Sequence, residues 1–434
     1  MIYARAVHFA AAIMAAGVVF FVILIVAPAL RVAKESTELR AMLWPRLAFM
    51  AVFGLVLAVG SGAVWLFLAA ASMSGEGPNE VISDGTVWTV LSQTHFGLAW
   101  IARFILACLL AGFLAPLLSA RHGRSPWIAA LGLLVAAALV GALAWSGHAL
   151  GDQGAAGFVH PAADVAHLIA AAAWLGMLIP LALLLGAADQ DTASLAIARA
   201  AIMRFSAFGV LAVGTLLLSG IINTWYLAGS IAALTGTYYG HLLLAKIALF
   251  FAMLAIAAVN RLYLTPRAVQ TGNLGLAQRA LHQLRRNALI EALAGVTIIC
   301  LVAMLGTLPP AVHAHHAPSS AAVPADASFV HIHTEAAMAD VAIEPGRVGQ
   351  VHATIHLSNV EEEPLAARGV TFSMAPPGAG APIMRAAEQD SDGSWQVSDL
   401  GLWEPGNWIV TIDAVLDASN HVVLSAPIVI DPAP

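Results

Sequence analysis

Cysteine and charge are both scarce in this chain. Only Cys108 and Cys300 occur among 434 residues, each inside an apolar run, which excludes a disulfide framework or a thiolate zinc site. No CxxCH stretch offers covalent haem attachment, and no glycine-rich or Walker-type loop would cradle a nucleotide. Movement of a solute would then draw on gradients or partner proteins. Nucleic acid is not an expected partner, and no motif points to an enzyme. Charged residues make up 10% of the chain and hydrophobic ones 60%, the composition of a polytopic membrane protein.

Apolar runs of spanning length fall near 4–30, 44–71, 95–119, 126–148, 161–187, 205–229, 238–264 and 287–308, so eight transmembrane helices are expected. Lysine and arginine are missing from alternate connections. Arg31, Lys34, Arg40, Arg46, Arg121, Arg124, Arg199, Arg204 and the run from Arg261 to Arg286 mark one side, whereas the loops near 72–94, 149–160 and 230–237 hold no Lys or Arg. Basic loops remain cytoplasmic, which puts both termini outside. The basic loop after the first run resembles a stop-transfer flank, so that run is expected to persist as a helix rather than leave as a signal peptide.

What the chain does have is histidine on one side. The stretch from Trp145 to Gly176 carries His148, then His160, Asp164 and His167 at helical spacing on one face, with Trp174 seven residues on. Ionisable groups in a span are costly and mark functional sites by default. The bland alternative leaves the histidines among headgroups and Asp164 paired with an arginine. Of sixteen histidines only His122 and His282 fall in basic loops. His8, His95, His148, His167 and His241 lie at the outward ends of spans, with His160 beside them, so these six are the candidate metal ligands of the membrane part. Arg5, Arg103 and Lys246 also enter the outward halves of their spans as auxiliary polar groups beside Asp164, and ion pairing or snorkelling is the expected role.

The two halves of the membrane part match weakly in fours. His8 and Gly17 share their spacing with His167 and Gly176; Thr94-His95-Phe96-Gly97 with Arg103 matches Thr237-Tyr238-Tyr239-Gly240 with Lys246; Ser61-Gly62 matches Ser219-Gly220. Four helices return the chain to the same side, so the repeats would be parallel, related by a pseudo-twofold along the membrane normal. On that reading His8 and His167 face each other across the axis, His148 joins them, and Arg5 and Asp164 form an ion pair.

Pro309-Pro310 ends the membrane part, and residues 309–325 form a linker with His313, His315 and His316. From 326 to 434 short alternating segments separated by turns read as an all-β immunoglobulin-like sandwich. From residue 309 onward fifteen acidic side chains stand against three arginines, a field that concentrates cations. His331 and His333 alternate with Ile332, which puts both imidazoles on one strand face about 7 Å apart, close enough to share a metal. Met374 and Met384 offer thioethers but more often pack a sandwich edge.

Ser146-Gly147-His148-Ala149, His167 before Trp174-Leu175-Gly176, Thr237-Tyr238-Tyr239-Gly240 with Lys246, and Asn260-Arg261 with Pro266 together resemble the copper resistance protein D (CopD) family. The resemblance covers residues 1–308, and the tail is similar to YtkA-like domains. It implies copper movement across the bacterial inner membrane, copper tolerance, and a periplasmic tail. The chain lacks the leading CopC-like domain of fused forms, so capture falls to the tail or to a separate CopC-like donor. Copper, as Cu(I) or Cu(II), would pass from the tail to His148, His160 and His167 and enter between the repeats. A b-type haem held between histidines of two helices, with Arg5, Arg103 or Lys246 on its propionates, and a copper-delivery factor that does not transport are the alternatives. Membrane lipid is the one certain surrounding, and nothing in the sequence sets an oligomeric state.

Overall fold

The computed structural model describes residues 1–31, 37–74, 78–83, 85–118, 126–146, 156–188, 192–270, 274–308, 326–334, 337–359, 364–376, 381–416 and 420–433. His148, His122 and the stretch 309–325 lie outside them, as do the side chains of His95 and His333. The chain divides into two compact units, Met1–Ala314 and His315–Pro434.

Eight helices of the first unit are long and apolar enough to cross a membrane: α1 (Ile2–Ala29), α2 (Glu38–Ser72), α3 (Phe96–Ala115), α4 (Pro126–Trp145), α5 (Phe158–Ala187), α6 (Ala193–Ala228), α7 (Tyr238–Val269) and α8 (Gly275–Leu305). The central helix is α1, which packs against α2, α4, α5 and α8. Its run of alanines ending at Gly17 lets neighbouring backbones come close, the usual basis of helix association in lipid. At the crossing with α5 the approach is so tight that a β-carbon on Gly17 would sit on the Gly176 backbone, and one on Gly176 would meet Ile13 O and Gly17 Cα.

Two connections expected to be loops contain short helices, Thr86–Gln93 and Ile231–Gly236. Each ends in an extended threonine that starts the next span. Thr94 Oγ1 donates to Val90 O at 2.6 Å and accepts from Gly97 N at 3.0 Å; Thr237 Oγ1 donates to Ala233 O at 2.7 Å and accepts from Gly240 N at 2.9 Å. Gly97 and Gly240 are needed because a β-carbon there would strike the carbonyls of the short helix. The same joint built twice, together with the α1–α5 crossing at equivalent glycines, makes the four-helix repeat structural.

Helices α1 and α7 each widen into a π turn, Phe21–Val26 and Asn260–Leu264, just before Pro28 and Pro266. Proline removes a backbone donor, and the wider turn frees carbonyls that need other partners. Arg204 Nε supplies one, donating to Leu24 O at 2.9 Å.

The second unit is all antiparallel: β1 (Ser328–His333), β2 (Met338–Glu344), β3 (Gly349–Ser358), β4 (Gly369–Ala375), β5 (Ile383–Gln389), β6 (Trp395–Leu402), β7 (Gly406–Val415) and β8 (His421–Ile430) run in the order β1-β2-β3-β6-β5-β4-β7-β8. The sheet curls so that β8 returns to β1, where Ser328 Oγ donates to Val429 O at 2.7 Å, giving a barrel-like sandwich. Alternation places Val351, Ala353, Ile355 and Leu357 inside. Trp408 is fully buried, and its Nε1 donates to Glu404 O at 2.8 Å. Trp408→Ala is expected to cost the tail about 3–5 kcal/mol, read by urea unfolding of residues 326–434.

Candidate functional site

Each four-helix unit builds one deep histidine site from its first three spans. In the first, His8 of α1 bonds through Nδ1 to Ala58 O of α2 at 2.8 Å. A carbonyl only accepts, so Nδ1 carries the proton and the Nε2 lone pair is left over. Arg103 of α3 takes it, with Nη1 at 3.4 Å from Nε2. The same guanidinium donates from Nε to Ala99 O at 3.1 Å and lies 5.4 Å over Trp65, whose ring meets His8 edge-on at 5.6 Å. Little space remains there, a cavity of about 20 Å3.

In the second unit His167 of α5 bonds through Nδ1 to Ser219 Oγ of α6 at 2.9 Å. The Ser219 hydroxyl already gives its hydrogen to Thr215 O at 2.6 Å, so it accepts from the imidazole and again fixes the proton on Nδ1. No described residue hydrogen-bonds His167 Nε2. An imidazole protonated on Nδ1 has only its Nε2 lone pair to offer a ligand. His167 borders a cavity of about 410 Å3 whose only other ionisable lining group among the described residues is Lys246 of α7.

Toward the end free of Lys and Arg, α5 carries the rest of the cluster. Asn223 Nδ2 donates to Asp164 Oδ1 at 3.1 Å, and Asp164 is close enough to Lys246, His160 and Arg5 to feel their charge. His160 is buried and stacked on Tyr226 with ring centres 4.9 Å apart. Arg5 Nη1 donates to Gly306 O at 2.5 Å, and the guanidinium lies 5.2 Å over Trp65. Arg5 and Asp164, expected as an ion pair, feel each other's charge across the repeats without a direct ion pair between them among those described, and Asp164 shares its field with Lys246.

Three expectations need correction. His8 and His167 do not face each other, because each turns into its own unit, toward α2 and α3 or toward α6 and α7. A route between the repeats is closed where the Gly17 and Gly176 backbones touch; the open volume lies inside the second unit. His241 does not join the cluster but bonds to Thr235 O at 2.8 Å, just ahead of its own helix. His95 and His148 cannot be placed within the site, and among the described residues no three His, Cys, Asp or Glu side chains gather as a metal cage.

A polar group at the opposite, arginine-rich end was not expected. Asn260, turned inward by the π turn of α7, donates from Nδ2 to Glu291 Oε1 at 2.7 Å and accepts from Asn287 at 2.6 Å. Asn260 and Glu291 border a second cavity of about 410 Å3, and Trp174 lines both cavities. The signal was available in the sequence, since Glu291 is a carboxylate within an apolar run.

In the tail every described histidine carboxylate pair is exposed. His331 Nδ1 lies 2.6 Å from Asp340, His352 3.4 Å from Glu344, and His421 3.1 Å from Asp413. Met374 is a core residue while Met384 is exposed, so the two thioethers lie in different surroundings.

Eight apolar helices in two like units, each with a deep histidine, define a polytopic membrane protein, and its sequence matches show that the chain belongs to the copper resistance protein D family. Residues 1–158 match the family's N-terminal domain and residues 199–305 match copper resistance protein D itself. The chain is 32% identical over 274 residues to copper resistance protein D of Pseudomonas syringae pv. tomato, covering 62% of this chain and 85% of that one. It is 32% identical over 255 residues to inner membrane protein YebZ of Escherichia coli, 57% of this chain and 82% of that one. Copper transport protein CutJ of Bacillus subtilis is 24% identical over 362 residues, 80% of this chain and 61% of that one. The β-domain observed after the membrane part is consistent with the resemblance to YtkA-like domains.

Proposed function

We propose that this protein moves copper inward across the bacterial inner membrane, as a carrier rather than an enzyme, and so contributes to copper homeostasis. The observation that carries the reading is the Nε2 lone pair of His167, without a partner among the described residues and beside a cavity, in a chain whose relatives are named for copper resistance and copper transport. Imidazole binds copper in either oxidation state. The proposed route runs within the second unit, from the His167 cavity past Trp174 to the cavity at Asn260 and Glu291. The loops free of Lys and Arg face the periplasm in this account, as the basic loops would remain inside. A CopC-like periplasmic donor and the acidic tail, through His331 and His333, would supply the ion.

Deleting residues 309–434 is expected to weaken copper capture at low copper while leaving the membrane unit folded, because the two are separate compact units. Copper uptake by cells carrying each form, titrated from scarce to saturating copper, measures it. Loss of uptake at saturation as well would make the tail structural rather than a collector.

A further inference from the structure

The two units are built alike but filled differently. Four residues after the serine of the Ser-Gly pair, the first unit has Trp65 and the second Asn223; six residues after the capping threonine, the first has Trp100 and the second Leu243. The two indoles are what close the first site: Trp65 packs on His8 and both arginines, and Trp100 borders the residual space of about 20 Å3. With those indoles replaced by a short amide and a leucine, the second site keeps about 410 Å3 open. The spans also differ in packing. Helices α2 and α3 lie against each other, whereas α6 and α7 approach closely only toward their ends, through Ile231–Gly236 and the α7 segment beyond the π turn.

The open space is largely apolar, lined by Trp174, Leu216, Ile221, Phe250 and Ile298, with Lys246 and His167 in its wall. Lys246 makes no hydrogen bond and no ion pair within 4 Å among the described residues; its charge meets Asp164 and His167 only at longer range. In the first unit the matching cation, Arg103, folds onto its histidine and its own helix. An ammonium with three donors in the wall of an apolar cavity has no acceptor among the described residues, and an amphiphile's oxygen would supply one. From Lys246 to Asn260, which lines the second cavity, α7 rises about 21 Å, long enough for a tail to lie along the gap.

We propose that this gap is a binding site for a membrane-soluble amphiphile whose head presents an oxygen acceptor to Lys246 and whose apolar tail lies between α6 and α7. A quinone carbonyl and a fatty-acid carboxylate share that chemistry. The contact it commits to is with Lys246; because the gap is also the cavity that His167 borders, binding is measured on metal-free protein.

The test is saturable binding of decylubiquinone and of oleic acid to the purified full chain, followed by native mass spectrometry and by competition between the two. Leu243→Trp, which restores the bulk of the first unit, and Lys246→Met are each expected to weaken binding by about tenfold or more. Phe49→Ala, on the exposed face of α2, should leave it unchanged, and thermal unfolding confirms that each variant is folded. Preference for decylubiquinone assigns the site to the quinone pool, and preference for oleic acid assigns it to lipid acids. Binding of neither probe, equal binding by the parent and both gap variants, equal loss in Phe49→Ala, or a dimer that covers the gap would overturn the proposal.

Discussion

Replacing His167 with alanine is expected to weaken copper binding by residues 1–314 at least about tenfold, some 1.4 kcal/mol or more, while His8→Ala stays within about threefold of the parent. Both histidines are deep, and both carry their proton on Nδ1. The difference lies in the other nitrogen. For His8 it faces Arg103 Nη1 at 3.4 Å, so a copper ion would have to displace a guanidinium whose positive charge opposes it. For His167 it is free of described partners and borders open space. Ser219 holds the imidazole from behind, the kind of outer partner that orients a ligand and raises its basicity. Ser219→Ala should therefore lower affinity in the same direction by a smaller factor. His282→Ala, near the start of α8 where Nδ1 bonds Gln278 O, should bind as the parent does. Titration of the metal-free membrane unit against a competing chelator gives all four values, and equal losses for His8→Ala and His167→Ala would remove the distinction.

The second large effect is at the α1–α5 crossing. Adding a single methyl group by Gly176→Ala is expected to destabilise the membrane unit by about 3 kcal/mol or more, the upper end of overpacking costs. The obstacles are Ile13 O and Gly17 Cα, which are backbone atoms and cannot turn aside as a side chain would. Gly17→Ala should behave alike, since its β-carbon meets the Gly176 backbone. Gly112→Ala is the contrast, because nothing lies within 4 Å of a β-carbon there and alanine is the better helix former. Thermal unfolding of the three variants measures the difference. A stable Gly176→Ala protein would mean that the helices separate easily and that the repeats are not locked together at this point.

Eight spans were readable because each is a long apolar run, and the repeat because Thr94 and Thr237 with their glycines, and the two Ser-Gly pairs, do the same mechanical work in both halves. The alternation of β3 was equally plain. What could not be read was orientation across the bundle. Spacing places His8 and His167 at equivalent heights, but whether they face each other depends on how each helix is rotated, and that is set by partners far away in sequence: Ala58 and Arg103 for one, Ser219 and Lys246 for the other. The tautomers depend on the same partners. The short helices before α3 and α7 are too brief to show a period and depend on a threonine cap and a glycine whose joint role emerges only in three dimensions. Glu291 carried the same signal as Asp164. Its partner Asn260 lies 31 residues away in sequence and is itself held by Asn287, and the turn that aims Asn260 inward is a departure from regular α-helix that periodicity does not reveal.

The central claim is that copper passes through the second unit at His167, and flux tests it most directly. Proteoliposomes holding the full chain, loaded with a copper-sensing dye and offered copper outside, compare the parent with His8→Ala and His167→Ala at equal amounts of folded protein. The account predicts that His8→Ala sustains flux near the parent's and that His167→Ala abolishes it; flux that survives His167→Ala, or that falls equally in both, would contradict it.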